Sequence, residues 1–218
     1  MEKLLRGTHQ FQAEYFATHR ELYRQLAVAG QQPETLFLTC SDSRVDPNLI
    51  TSAAPGELFI VRNVGNVVPP YDPDSSGATA AALEYAVEVL EVENIIICGH
   101  TTCGAVAAIL DPSRAENLPH VKRWLRHTSH VRELVDTRYS TLTGDARSTA
   151  TAEENVLAQL EHLRAYPFVA KRLAAGTLRI NGWMFKIATG EVFDYDPTRE
   201  EFVRWIAEAG EAVSAPSR

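Results

Sequence analysis

The sequence is poor in cysteine. It has three in 218 residues, an odd number that argues against a disulfide framework and suits a reducing, cytoplasmic setting. It also lacks a basic excess: 21 lysines and arginines stand against 28 aspartates and glutamates, a formal net charge of −7. A surface that binds nucleic acid needs the opposite sign, so that class of partner is not expected. No apolar run approaches the ~20 residues that cross a bilayer as a helix, so no membrane association is expected. Glu2, Lys3 and Arg6 interrupt the N-terminus, which does not read as a secretory signal. No internal repeat and no domain boundary stand out. What remains is an ordinary balance of 45% hydrophobic and 22% charged residues, enough for one domain with a sizeable core.

The pattern along the chain predicts an α/β fold. Phe11, Tyr15, Leu22 and Leu26 recur near the helical period over residues 8–29, and Gly30 stands where such a helix stops. This segment, 1–30, reads as an N-terminal helical arm that packs either on its own core or on a partner subunit. Short apolar strands are predicted at 35–39, at 57–61 after the Pro55-Gly56 turn, and at 94–98. The last of these, Asn94 to Cys98, is almost continuously apolar, the texture of a central parallel strand covered on both faces. Helices are predicted over 78–89 and 104–110, and a hairpin over 178–187 and 191–195 around Thr189-Gly190. Residues 140–150 read as a polar loop, with Thr151 and Glu154 as a capping box for the helix that follows. The alternation gives a single domain with about four parallel strands plus an antiparallel edge strand, flanked by helices. Residues 210–218 read as a flexible tail.

Two short segments carry chemistry. Cys40-Ser41-Asp42-Ser43-Arg44 follows the first strand, and Gly99-His100-Thr101-Thr102-Cys103-Gly104 follows the third. Both lie after the carboxyl ends of strands, where open α/β sheets build their sites. Thiolate and imidazole are ligands that Zn²⁺ prefers, and three of them leave a fourth position open, as a catalytic zinc requires. Cys40, His100 and Cys103 are therefore the candidate ligands of one zinc per chain. Asp42 has two roles open to it. It either completes the zinc as a fourth ligand or pairs with Arg44, whose fork grips a carboxylate bidentately. Cys98 ends an apolar strand and reads as core. His120, His127 and His130 lie on a charged stretch and read as a solvated face.

At these residues the sequence resembles the β-class carbonic anhydrases, closest in texture to the plant-like and cyanobacterial branch. Gln31, Glu57-Leu58-Phe59, Arg62-Asn63-Val64 and Ala82-Leu83-Glu84-Tyr85 follow the family pattern in order, and the resemblance runs from about residue 3 to 196. Carboxysomal members from cyanobacteria carry a long C-terminal extension that this sequence does not show. The resemblance implies reversible hydration of carbon dioxide to bicarbonate and a proton by zinc-bound hydroxide, oriented by an Asp42–Arg44 dyad. It implies a substrate pocket of Gln31, Phe59, Val64, Tyr85 and Gly104, shared with a neighbouring subunit. The minimal unit would be a homodimer, with a tetramer or larger assembly as the alternative. Some bacterial relatives switch off by binding bicarbonate beside a Trp and a Tyr. Here Phe37 and Phe185 occupy those positions although Arg62 is kept, so no such switch is expected.

Two thiolates make zinc a weaker Lewis acid than three imidazoles do, so the activity should favour alkaline conditions. One alternative is a silent zinc-stabilised scaffold, with Asp42 fixed on the metal. Another is a relative working on carbon disulfide or carbonyl sulfide. Water in the fourth zinc position separates enzyme from scaffold, and pocket access decides between the substrates.

Overall fold

A computed structural model describes residues 1–74 and 77–205. The chain opens with helix α1 (Glu2–Gln10), which continues through one wider turn over Phe11–Tyr15 and a short helical piece over Phe16–Thr18. His19 leaves helical geometry (φ −107°, ψ 17°), and α2 (Arg20–Ala29) follows, ending at Gly30 as expected. The helical part of the arm thus begins earlier than residue 8 and is broken once, at His19. None of the residues in these helical pieces is buried. Phe11, Tyr15, Phe16 and Tyr23 pack mainly on one another, with Phe11 5.8 Å from Tyr15 and 6.0 Å from Tyr23 between ring centroids.

After the arm come strand β1 (Thr35–Cys40), helix α3 (Pro47–Thr51), strand β2 (Leu58–Asn63), helix α4 (Ala78–Glu84), continued by a wider turn over Tyr85–Val89, and strand β3 (Asn94–His100). Helices α5 (Gly104–Leu110), α6 (Pro119–Trp124), α7 (Ser129–Arg138), α8 (Gly144–Arg164) and α9 (Pro167–Ala174) precede β4 (Arg179–Lys186), β5 (Glu191–Asp196) and β6 (Glu201–Arg204). The sheet has six strands in the order β2-β1-β3-β4-β5-β6. The first four are parallel, and the last two are antiparallel. To the expected hairpin the structure thus adds β6, whose exposed, charged ends carry little strand signal.

Central β3 explains its own composition. Ile95 and Ile97 enter the larger core with Leu36, Leu38 and Val156, while Ile96 and Cys98 turn to a second core with Phe37, Val45 and Phe185. Cys98 is fully buried, as expected. A strand apolar on both faces has no room for the alternation of a half-exposed one. Helix α8 lies across β3 and β4 so closely that a Cβ on Gly99 would stand 2.6 Å from Val156 Cγ2. Only glycine permits that approach.

Helix α8 also overturns two expectations. Residues 144–150 are its first two turns, not a loop, and Thr151 is an interior residue whose hydroxyl donates to Arg147 O at 2.7 Å. Glu154 caps nothing. It is buried and accepts from the Tyr139 hydroxyl at 2.7 Å. The early turns hold because Arg147 bonds back to Asp136 and to Tyr139 O, and because Ala150, Thr151 and Ala152 are buried. Tertiary contacts override the weak helix propensity of Ser148, Thr149 and Thr151. The expected tail at 210–218 lies outside the described residues.

Candidate metal centre

Parallel register brings the two motifs together. β1 and β3 are parallel neighbours, with Thr39 paired to Cys98, so Cys40 and His100 lie side by side at the carboxyl ends of the strands. The chain then turns at Thr102 (φ 55°) and delivers Cys103 as the residue that caps α5. The ligand atoms of Cys40, His100 and Cys103 lie within 4.8 Å of one another, and all three residues are buried. Among the described residues this is the one cluster of its kind.

Its details fit a tetrahedral zinc. The two sulfurs are 3.9 Å apart. Zn–S bonds of about 2.3 Å at a tetrahedral angle would separate them by about 3.8 Å. His100 Nδ1 lies 2.9 Å from Thr101 O, a carbonyl that only an N–H can satisfy, so Nε2 carries the lone pair. That nitrogen is buried and has no hydrogen-bond partner among the described residues. A buried lone pair without a donor is costly, and a metal ion at this spot removes the cost.

Cys40 is held well below the ordinary thiol range, first by its hydrogen bond with Cys103, and Cys103 is pushed up, first by that same hydrogen bond and then by burial and the facing Cys40 charge. Backbone donors surround both sulfurs. Gly65 N–H points at Cys40 Sγ at 3.4 Å, and the first amides of α5, at Ala105 and Val106, face Cys103. Cys98, two residues before His100, takes no part: burial pushes its thiol up to about 12.

Asp42 and Arg44 sit at the rim. Arg44 Nε donates to Asp42 Oδ1 at 2.9 Å and Nη2 to Oδ2 at 2.8 Å, while the Arg44 amide donates to Oδ1 at 3.0 Å. Arg44 holds the carboxyl well below the usual carboxylate range. The same Nη2 reaches Thr102 O at 3.1 Å and so ties the first motif to the second. Asp42 Oδ2 stands 4.0 Å from His100 Nε2. Arg62 Nε donates to Cys40 O at 3.2 Å and Nη2 to Asp42 O at 2.7 Å.

The other expected pocket residues are less concentrated. Val64 adjoins Gly65 and lines a cleft of about 470 Å³ with Ser41, Arg62 and Trp124. Gly104 opens α5, with free space where a side chain would stand. Phe59 and Tyr85 pair with ring centroids 6.1 Å apart, and Tyr85 lines a second cleft with Tyr71 and Tyr166. Gln31 is exposed at the end of the arm. His120 and His130 are exposed, as expected of a solvated face, and His127 is half-buried against Trp124 at 5.5 Å. Sequence reasoning missed Gly65, Thr102, Asn155 and Gln159. The last two were discernible as polar residues four apart on a helix face otherwise made of Ala152, Val156, Leu160 and Leu163.

A family model described as carbonic anhydrase matches residues 35–192. A carbonic anhydrase of Synechocystis is 46% identical over 204 residues, covering 93% of this chain and 74% of its own length. Among solved structures, that of the β-carbonic anhydrase CcaA has a TM-score of 0.91 and 45% identity, covering 94% of this chain and 99% of its own. One of two tetrameric β-carbonic anhydrases from the filamentous ascomycete Sordaria macrospora has a TM-score of 0.80 and 30% identity, covering 88% and 95% of the two chains. Fold, centre and relatives agree, and the chain belongs to the β-carbonic anhydrase family of lyases.

Proposed function

We propose that the chain is a zinc enzyme that hydrates carbon dioxide reversibly to bicarbonate and a proton, with Cys40, His100 and Cys103 holding one zinc per chain. The observation that carries this reading is the unpartnered, buried Nε2 of His100 beside two thiols 3.9 Å apart, with Asp42 already engaged by Arg44. A silent scaffold with Asp42 on the metal would have to give up that bidentate grip. When bound, zinc supplies the Lewis acidity that lets water lose a proton near neutral pH.

The chain's own residues do the rest. Arg44 fixes the position and the plane of the Asp42 carboxylate. Asp42 Oδ2, facing the centre, accepts the proton of the attacking oxygen as a hydrogen bond and turns its lone pair toward the carbon. Gly104 leaves room beside Cys103, and Val64 offers an apolar wall suited to an apolar substrate. Gln31, Phe59 and Tyr85 serve the pocket of a neighbouring subunit. The exposure of Gln31, and of Tyr85 with the cleft that it lines, supports a dimer as the minimal unit, as does an arm with no buried residue. Three free thiols suit a reducing compartment, the cytoplasm.

The pocket for inhibitory bicarbonate is not expected to form. Phe37 and Phe185 are buried in the second core without donors, and Arg62 is committed to Cys40 O and Asp42 O. Stopped-flow hydration of carbon dioxide across pH, on protein of known zinc content, tests the whole reading. Zinc-replete protein without activity would refute it.

A further inference from the structure

From the end of β2 toward α4 the chain forms a loop, residues 63–69, whose backbone is held largely by side chains, most of them from elsewhere in the chain. Asn63 closes it, accepting from Val67 N at 2.7 Å and donating to Val67 O at 2.8 Å. Trp124 Nε1 donates to Val64 O at 2.8 Å, and the Tyr166 hydroxyl to Pro69 O at 3.0 Å. One face of α8 supplies the rest. Val68 N donates to Gln159 Oε1 at 2.8 Å, Gln159 Nε2 to Asn155 Oδ1 at 3.0 Å, and Asn155 Nδ2 to Gly65 O at 3.0 Å. Both side chains are essentially fully buried.

The direction of this chain of amides is fixed. Val68 N is a donor, so Gln159 must present its oxygen there and its nitrogen to Asn155. Asn155 must then accept from Gln159 and donate to Gly65. Gly65, with φ +82° and no room for a Cβ beside Ala105, is thereby held so that its own N–H meets Cys40 Sγ at 3.4 Å. The amide of Asp42 also faces that sulfur, but it belongs to the same strand end as Cys40. Gly65 is the donor brought from outside.

We propose that Asn155 and Gln159 are positioning residues for the metal centre: through Gly65 they hold an N–H on the Cys40 thiolate and so set how much charge Cys40 gives to the metal. A hydrogen bond to a thiolate lowers its donor strength, and groups that orient a ligand tune the metal as the ligand itself does. This rests on Cys40, His100 and Cys103 being the metal ligands.

The test uses the cobalt-substituted holoenzyme, in which thiolate ligation gives a sulfur-to-metal charge-transfer band, together with chelator competition on the zinc form. Asn155→Leu should move the band to longer wavelength and weaken zinc retention about tenfold, the usual effect of losing a ligand-orienting partner. Gln159→Glu, which keeps the acceptor for Val68 but turns the Asn155 amide around, should move both readouts the same way; it covers the case in which Asn155→Leu does not fold. Leu160→Ala, a cavity in the same helix, should lower the melting temperature and leave band and zinc retention unchanged. The proposal is overturned if the Asn155 and Gln159 variants lose stability but keep the wild-type band and zinc retention. A wild-type protein with no thiolate-to-cobalt band would instead overturn the ligand assignment.

Discussion

Replacing Arg44 with alanine separates the dyad from the metal. The wild-type carboxylate of Asp42 is held by three donors, at 2.9, 2.8 and 3.0 Å, of which the alanine variant keeps only the backbone amide. The link from Arg44 Nη2 to Thr102 O is lost as well. Asp42 remains ionised near neutral pH, because its carboxyl starts below the usual range and returns only toward it. The pair stabilises the fold above the ordinary carboxylate range, and that contribution is lost as pH falls through the depressed folded value. Near neutrality the loss is therefore one of position, not of charge. With Oδ2 already 4.0 Å from His100 Nε2, a freed carboxylate would be drawn toward a metal ion bound at that nitrogen. A misplacement of about 1 Å at a reacting centre costs on the order of a hundredfold in rate, so kcat should fall by roughly that factor. Zinc retention should stay at the wild-type level or rise, since the ion gains a protein ligand. Arg44→Lys should recover only part of the rate, because an ammonium restores the charge without the fork. Stopped-flow turnover and metal content, measured on the same samples, decide the matter. Wild-type turnover in Arg44→Ala would refute the dyad, and loss of zinc would show that Arg44 acts on metal retention instead.

Cys103→Ser should bind zinc far more weakly and lose activity with it, as metal analysis after dialysis will show; full metal and activity would remove Cys103 from the ligand set. After chelation, iodoacetamide should label Cys40 ahead of Cys98, whose thiol is buried and pushed up to about 12. Mass mapping that finds Cys98 labelled first in folded protein would contradict this. Turnover should rise smoothly with pH and respond to added bicarbonate only as to a competing product. A steep, cooperative loss below pH 8 with slow reactivation would mean that a switch exists through other residues.

Strands were legible wherever burial alone specified them. Asn94 to Cys98 could hardly be anything but a central strand, and it came within two residues of its observed end at His100. The cluster of Cys40, His100 and Cys103 was legible for a different reason: two thiols and an imidazole at two strand ends have few other uses. Helix α8 was misread at its start because its first turns are held by Arg147 contacts and by burial of small residues, neither of which has a local signal. β6 was missed because a four-residue strand with charged ends is specified by its partner, β5, not by its own pattern. The loop at 63–69 was illegible for the same kind of reason. Its conformation is imposed by Asn155, Gln159, His162 and Tyr166, about ninety residues further on.

Arg62 shows how the same residue can belong to different devices. Here both of its bonds run to backbone carbonyls of the segment that carries Cys40 and Asp42, so it acts as a strut for the loop between the first ligand and the dyad. To capture an anion it would have to release Cys40 O or Asp42 O, and the loop that orients Asp42 would lose its support. An anion site could compensate only with several further donors, because each oxygen taken out of water needs a new hydrogen bond. Phe37 and Phe185 supply none. They pack instead into the second core with Val45 and Cys98, and Phe37 meets Trp183 edge-on at 5.8 Å. Filling that space with apolar rings leaves Arg62 a strut and Asp42 on Arg44, the arrangement that the proposed hydration requires.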